Sequence, residues 1–441
     1  MISSGVRRNS ELSLLIVALI LGAGALALVA LARNSDRVDV TFPLIAVVGA
    51  SFAVAHVVVR RVARGADHLI LPIVAVLNLV GTAAIYRLSP RGFGAAQVTW
   101  TAVGIACFVG LLLWLRDYSV LARYKYVLGF AGVGLLLLPM TPLGATIRGA
   151  RLWVQIGSFA FQPGEGAKIC LVIFFAAYLA ERKELLAIAS RRFLGMNVPD
   201  VKHFGPLLVM WGLSLAVMFF EKDLGSSLLF FSIFLLMIYM ATARFVYLAA
   251  GSVLFLGGAL AGYSLFAHVQ DRVQVWLDVF NPRLIADEGY QLAQSLFAFA
   301  QGGLFGTGLG QGRPDLIPDA HTDFIFAVIG EELGLLGTAA VVTCFVLLVG
   351  RGLWTALQAR DDFGQLLAAG LTTILAVQTF IILAGVTRLL PLTGITLPFM
   401  SYGGSSLLAN FVLAAILLRI SDVSSSASPA ATAEILVGGR A

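Results

Sequence analysis

Long unbroken apolar runs, parted by short polar breaks that carry most of the arginines and lysines, dominate this chain. A run of about 20 apolar residues has the length of a bilayer-crossing helix, whereas a membrane-spanning strand needs only about 10 residues of strict alternation. The runs here are of the first kind. With length as the arbiter they predict about twelve helical spans, near residues 12–32, 42–59, 69–86, 97–115, 126–145, 167–181, 204–220, 224–241, 244–266, 324–349, 363–387 and 398–419. The expected fold is an all-α polytopic membrane protein. Its parts are an N-terminal extension with two spans (1–68), a main transmembrane core (69–420) and a disordered Ser/Ala-rich tail (421–441).

Two breaks are longer than the rest. The RKELLAIASRRF stretch within 182–203 reads as a basic amphipathic helix on the membrane surface. Residues 267–323 form a long loop between the ninth and tenth spans, with a helix-like GYQLAQSLFAFAQ and a glycine-dense GGLFGTGLGQG. Its Trp276, Phe280, Leu296, Phe297 and Phe299 predict an ordered loop partly sunk in the interface, and loops of this length are usually functional or disordered.

Composition agrees: 59% of residues are hydrophobic and 12% charged, against about 25% charged in soluble domains. The net charge of +6 reflects basic residues gathered in alternate connections, such as Arg60, Arg61, Arg64, Arg123, Lys125, Arg191, Arg192, Arg351 and Arg419. The positive-inside rule puts those connections, and both termini, in the cytoplasm. The opposite loops, with the long one, then face outward. Nothing resembles a basic stripe interleaved with aromatics, so no nucleic-acid partner is expected. Cys107, Cys170 and Cys344 are scattered in apolar sequence and make neither a disulfide framework nor a zinc site. The first apolar run is too long for a cleavable signal and lacks a convincing cleavage site. Nucleotide-binding, serine-hydrolase and zinc-protease spacings are absent, and no nucleotide cofactor is expected.

With this topology the unusual charges fall at one depth, the outer face. Arg148, Arg151, Glu165 and Lys168 precede or open the sixth span. Glu221, Lys222 and Asp223 form the turn between the seventh and eighth. His321 and Asp323 open the tenth, and Arg388 with the SYGGSS run (Ser401, Tyr402 and Ser405 among them) closes the group. Each has a plainer explanation. Charges in a turn can simply meet water. Asp223 and Asp323 can cap helices, and Glu165 with Lys168 can be an intrahelical pair. Glu331 and Glu332 stand apart. On a continuous helix from Asp323 they lie about 12 Å deeper, where a carboxylate needs a partner or a wet cavity. A structural hydrogen bond and a direct role are both open there. Carboxylates for proton abstraction beside cations for an anionic group suit either a transferase acting on a lipid-linked substrate or a transporter. A purely structural scaffold is a third reading, though it leaves the converging acids and bases unexplained.

FQPGEGAKI (161–169), EKDLGSSLLFF (221–231), GYQLAQSLFAFAQGGLFGTGLGQG (289–312), IPDAHTDFIFAVIGEELGLLG (317–337) and LPLTGITLPFMSYGGSS (390–406) closely resemble the SEDS family (shape, elongation, division and sporulation) over about residues 69 to 420. The resemblance implies a core of about ten spans, so the two N-terminal spans are extra. It implies a glycosyltransferase that polymerises lipid II onto a nascent glycan strand outside the cytoplasmic membrane, with a class B penicillin-binding protein as partner. Asp323 falls on the essential acid, Glu165 and Lys168 on a cavity pair, and Asp223 on the aspartate of a PDLGT turn. Arg148, Arg151, His321, Ser401, Tyr402 and Ser405 fall in or near the cavity. A divalent cation, Mg or Mn, is an optional participant, with Asp323 its ligand. The chain departs at Gly164, where serine is usual, at Lys222, where the turn has proline, and at Leu152, where arginine often precedes Trp153. The short tails favour the RodA-like over the FtsW-like branch, and a lipid II flippase is the alternative reading.

Overall fold

The computed structural model describes residues 4–32, 38–147, 150–157, 159–187, 191–193, 196–198, 205–220, 223–287 and 289–425. Every predicted span has become a helix: α1 (Ser4–Ala32), α2 (Val38–Val62), α3 (Ile70–Leu88), α4 (Ala95–Trp114), α6 (Lys125–Leu137), α7 (Pro163–Ala187), α8 (Gly205–Phe220), α9 (Leu224–Thr242), α10 (Phe245–Leu265), α13 (Ile325–Leu357), α14 (Asp362–Val386) and α15 (Gly404–Ser425). Among the described residues, 10 of these are long and apolar enough to cross a bilayer. The exceptions are α6, which a 3-10 turn extends only to Met140, and α8. Short α5 (Ser119–Arg123), α11 (Ala267–Leu277) and α12 (Tyr290–Gly302) complete the α-helices among the described residues.

Burial separates centre from rim. The apolar windows of α3, α7, α14 and α15 lie mostly inside the protein, while α10 is almost wholly exposed. Lipid is as apolar as these side chains, so packing and interhelical hydrogen bonds hold the centre together. Asn78 of α3 shows how: it donates to the Phe399 carbonyl at 3.2 Å and accepts from Thr101 of α4 at 3.2 Å. Phe411 of α15 packs between Phe52 of α2 and Phe399.

Several expectations are corrected. The fold is not purely helical: β1 (Gly144–Ile147), β2 (Ala150–Ile156) and β3 (Phe159–Phe161) form an antiparallel sheet between α6 and α7. The span expected over 126–145 therefore ends early, because the chain turns after Met140 and pairs with a strand whose alternating side chains suit a sheet. The amphipathic helix expected at RKELLAIASRRF is divided. Its first part continues α7 to Ala187, residues 188–190 lie outside the described residues, and Arg191–Phe193 (β4) instead pairs with Met196–Val198 (β5). Helix α15 runs on to Ser425, held by the bond that the Asp67 amide donates to Ser421 Oγ and by the Arg419–Asp422 pair, so 421–425 belong to the core.

The segment 267–323 is built as well as long. Arg388, at φ 61°, donates to the Trp276 carbonyl at 2.7 Å, and the Trp276 indole N–H returns a bond of 3.2 Å to the Arg388 carbonyl. This staples α11 to the end of α14. The glycine-dense stretch docks on α13, where Gly334 (φ 66°, ψ −164°) breaks the helix. The groups this break releases are satisfied by the loop. Leu335 and Leu336 donate to the Gly303 and Leu304 carbonyls at 2.9 and 3.2 Å; Thr307 and Gly308 donate to the Glu331 and Glu332 carbonyls at 2.9 and 3.0 Å.

Candidate functional site

Glu165 sits in the first turn of α7, where its charge complements the helix N-terminus. It pairs at 2.9 Å with Lys168, one turn on, and both are buried. Lys168 also donates to Gln378 of α14 at 2.9 Å. The Gln378 amide passes the connection on, donating to the Thr396 carbonyl at 2.8 Å. Thr396 shares a 2.8 Å hydrogen bond with Ser406, and Ser405 accepts from the Gln162 amide at 2.9 Å. The intrahelical pair is thus real, and it is wired to a strap of backbone, 388–396, between α14 and α15.

Asp223 caps α9: its Oδ1 accepts from the Ser226 amide at 2.9 Å. It also lines a small cleft with Leu152, Gln162, Gly164 and Ser226, so it shares a space with the N-terminus of α7. Glu221 and Lys222 lie outside the described residues, as does Arg148. Arg151 is exposed and donates to the Thr141 carbonyl at 2.8 Å. Because Leu152 lines the cleft and side chains alternate along β2, Arg151 faces the other way.

Asp323 does not occupy the cap position of α13, which falls to Phe324. Its carboxylate stands against the strap: a Cβ built on Gly394 would lie 3.6 Å from Asp323 Oδ2. His321 stacks on Phe93, with ring centroids 4.0 Å apart and 13° between planes. The Tyr402 amide donates to the His321 carbonyl at 2.8 Å, and Ser401 Oγ donates to the Thr322 carbonyl at 2.6 Å. Burial pushes the Tyr402 phenol above its ordinary pKa. His321, Ser401 and Tyr402 therefore fix the turn that presents Asp323.

Sequence reasoning missed Arg272. On α11, it donates to the Leu392 and Thr393 carbonyls of the strap at 3.0 and 3.3 Å. Desolvation lowers its pKa from the ordinary arginine value, and the nearby Asp223 and Asp323 carboxylates push it back up; it remains a cation. Gly225, beside Asp223, meets the same strap at Thr393 and Ile395. One cation and two aspartates from three distant segments thus converge on residues 392–395.

Glu331 and Glu332 lie elsewhere. Glu332 pairs with Arg87 of α3 at 3.0 Å and accepts from the Gly310 amide at 3.0 Å; Glu331 accepts from the Arg313 amide at 2.7 Å. These bonds tie the loop and α3 to α13. The break at Gly334 also means that the rise of a continuous helix no longer measures their depth. Among the described residues there is no cluster of three His, Cys, Asp or Glu side chains able to hold a metal ion. A cation at the strap would have Asp323 as a hard oxygen donor and would need the rest of its ligands from substrate and water.

The profile of the FtsW, RodA and SpoVE family, described as cell cycle protein, matches residues 60–426. A peptidoglycan glycosyltransferase RodA from Mycobacterium leprae (strain TN) is 47% identical over 426 residues, 94% of this chain and 90% of that protein. The protein of the same name from Mycobacterium tuberculosis (strain ATCC 25618 / H37Rv) is 47% identical over 431 residues, with the same shares. A probable peptidoglycan glycosyltransferase FtsW from Geobacter sp. (strain M18) is 33% identical over 376 residues, 82% of this chain and 98% of that one. A solved structure described as structural coordination of polymerization and crosslinking by a peptidoglycan synthase complex aligns with a TM-score of 0.67 at 25% identity, over 81% of this chain and 98% of its own. The crystal structure of Thermus thermophilus rod shape determining protein RodA shares the fold, with a TM-score of 0.57 at 24% identity over 81% and 96% of the two chains.

Proposed function

The chain belongs to the FtsW, RodA and SpoVE family, and from that premise we infer that it is a peptidoglycan glycosyltransferase of the RodA kind, a multi-pass protein of the cytoplasmic membrane. It polymerises lipid II into glycan strands for cell elongation and shape. The observation that carries the site assignment is the meeting of Asp323, Asp223 and Arg272 at the strap.

The reaction proceeds with inversion. Asp323 takes the proton from the 4-hydroxyl of the lipid II GlcNAc, and the oxygen attacks the anomeric carbon of the growing strand. The bond to the diphosphate breaks, and undecaprenyl diphosphate leaves with the electron pair. Its charge is met by Arg272, which the strap carbonyls aim into the same space. Lys168, paired with Glu165, sets the potential behind the strap. Arg151, which faces away from the cleft, and Arg148 would serve the outer approach of the sugars. If a divalent cation enters with the diphosphate, Asp323 is its protein ligand; the metal would neutralise charge on the leaving oxygens.

All twelve apolar helices cross the membrane in this reading, with both termini cytoplasmic and the strap outside. The segregation of charge supports it. Arg8, Arg351 and Arg419 gather around the linker of residues 63–69, while the proposed catalytic groups lie at the other connections. The partner is a class B penicillin-binding protein, in keeping with the polymerising and crosslinking complex to which the fold is similar.

The test is polymerisation of labelled lipid II by the purified protein with that partner, wild type beside Asp323→Asn and Asp323→Ala, each first shown to fold and bind the partner. Wild type should make glycan chains, and both variants should lose about a hundredfold or more of the rate. Normal polymerisation by the variants would remove Asp323 from the base role. Lipid II crossing the bilayer without chain growth would favour transport.

A further inference from the structure

The family profile begins at residue 60, so α1 and nearly all of α2 lie outside it, and the reaction described above uses neither. Yet both are tied into the core at each end. At one end Glu11 of α1 is buried between Arg8 and His56 of α2, and Arg8 also donates to the Ala66 carbonyl. At the other end Leu309, in the glycine-dense loop, packs into a small cluster with Leu26, Val29 and Ala30 of α1 and Tyr86 of α3. Thr41 of α2 shares a 2.7 Å hydrogen bond with Tyr86. Gly310 approaches closest: at φ +80°, a Cβ added there would lie 2.6 Å from the Ala32 Cβ.

This loop is the one whose Thr307, Gly308 and Gly310 amides are taken up by Glu331 and Glu332. Those two glutamates close the short buried helix 325–333 that begins just after Asp323. The loop therefore has α1 on one side and the carrier of the proposed base on the other. We propose that α1 and α2 are a positioning element for the glycosyltransferase site: they brace Leu309 and Gly310, hold the loop on Glu331 and Glu332, and through the short helix hold Asp323 at the strap. The positioning role rests on the function inferred above; the brace rests on packing alone. Without the brace the loop amides would be freer to exchange with water, since loops open at low free energy when few apolar contacts hold them.

The experiment uses the full chain with its penicillin-binding partner in liposomes, and two readouts: hydrogen exchange across 302–313 and the lipid II dependence of polymerisation. Gly310→Ala puts a methyl group against Ala32. Adding Ala32→Gly removes the methyl it meets while leaving an alanine at positive φ, so any recovery reports the contact with α1 and not backbone strain. Gly310→Ala should speed exchange by about tenfold and lower kcat more than it raises KM. The double variant should regain most of both. Leu309→Ser should behave like Gly310→Ala, and Leu309→Met like wild type. No recovery in the double variant would overturn the brace. Faster exchange with unchanged polymerisation constants would overturn the positioning role. If wild type itself makes no glycan, the transferase assignment and with it the positioning role fall, while the exchange arm still decides whether α1 braces the loop.

Discussion

Lys168 is buried with one carboxylate, Glu165, and one amide, Gln378. Removing one partner of such a pair leaves an uncompensated charge and costs about 3–5 kcal/mol. Lys168→Met should therefore lower thermal stability sharply, and Glu165→Gln with Lys168→Met should restore most of it. Activity regained alongside stability would make the pair a support; activity still lost would make its charge part of the reaction. Arg272 offers a cleaner separation because its bonds go to backbone carbonyls. Arg272→Gln should cut polymerisation by about a hundredfold or more, the usual loss when one donor to a developing anion is removed, with little change in stability. Arg272→Lys should keep only part of the rate, since a lysine cannot reproduce a planar fork. Equal rates for all three proteins would free Arg272 of that role. Asp223, Glu165 and Asp323 stood out in the sequence because a charge inside apolar sequence demands an explanation. Arg272 did not, because HVQDRVQV reads as ordinary surface helix and its partners lie 120 residues away.

Apolar runs locate helices well, since a chain in lipid must satisfy its backbone internally; this is why the spans were legible. The sheet at 144–161 was not, because a strand of three to seven residues beside a span is easily absorbed into it. Its signals were Gly157, at φ 63°, and the alternation along RLWVQI. Helix α13 carries the other misreading: EELGLLG suggests a continuous span, and only the docked loop makes a break at Gly334 tolerable. Glu332 tests that docking. Glu332→Ala strands Arg87 in a buried place, a loss of about 3–5 kcal/mol, whereas Glu332→Gln still accepts from Gly310 and should cost less. Thermal unfolding of both variants in the same detergent checks the order, and equal midpoints would contradict it.

Across the molecule, charged groups gather at the connections, and the centre is held by aromatic packing and by interhelical bonds such as those of Asn78. At the linker end the Asp67 carboxylate receives Arg351 from α13 while its amide donates to Ser421 Oγ of α15. Asp67→Asn keeps the shape and weakens the charge-assisted bonds, so stability should fall by about 1–3 kcal/mol with the intrinsic polymerisation rate intact; a large loss of rate at unchanged stability would point to long-range coupling instead. The break at Gly334 sets something larger than local geometry. Unpaired backbone cannot face hydrocarbon, so the break has to stay at the level of the loop that completes it. The unbroken stretch beyond it, 335–357, is about 34 Å long, close to the ~30 Å of a hydrocarbon core. On the proposed topology the protein thus carries its own plumb line: the lipid fixes where α13 may be broken, and the break fixes how high above the lipid tails Asp323 can stand.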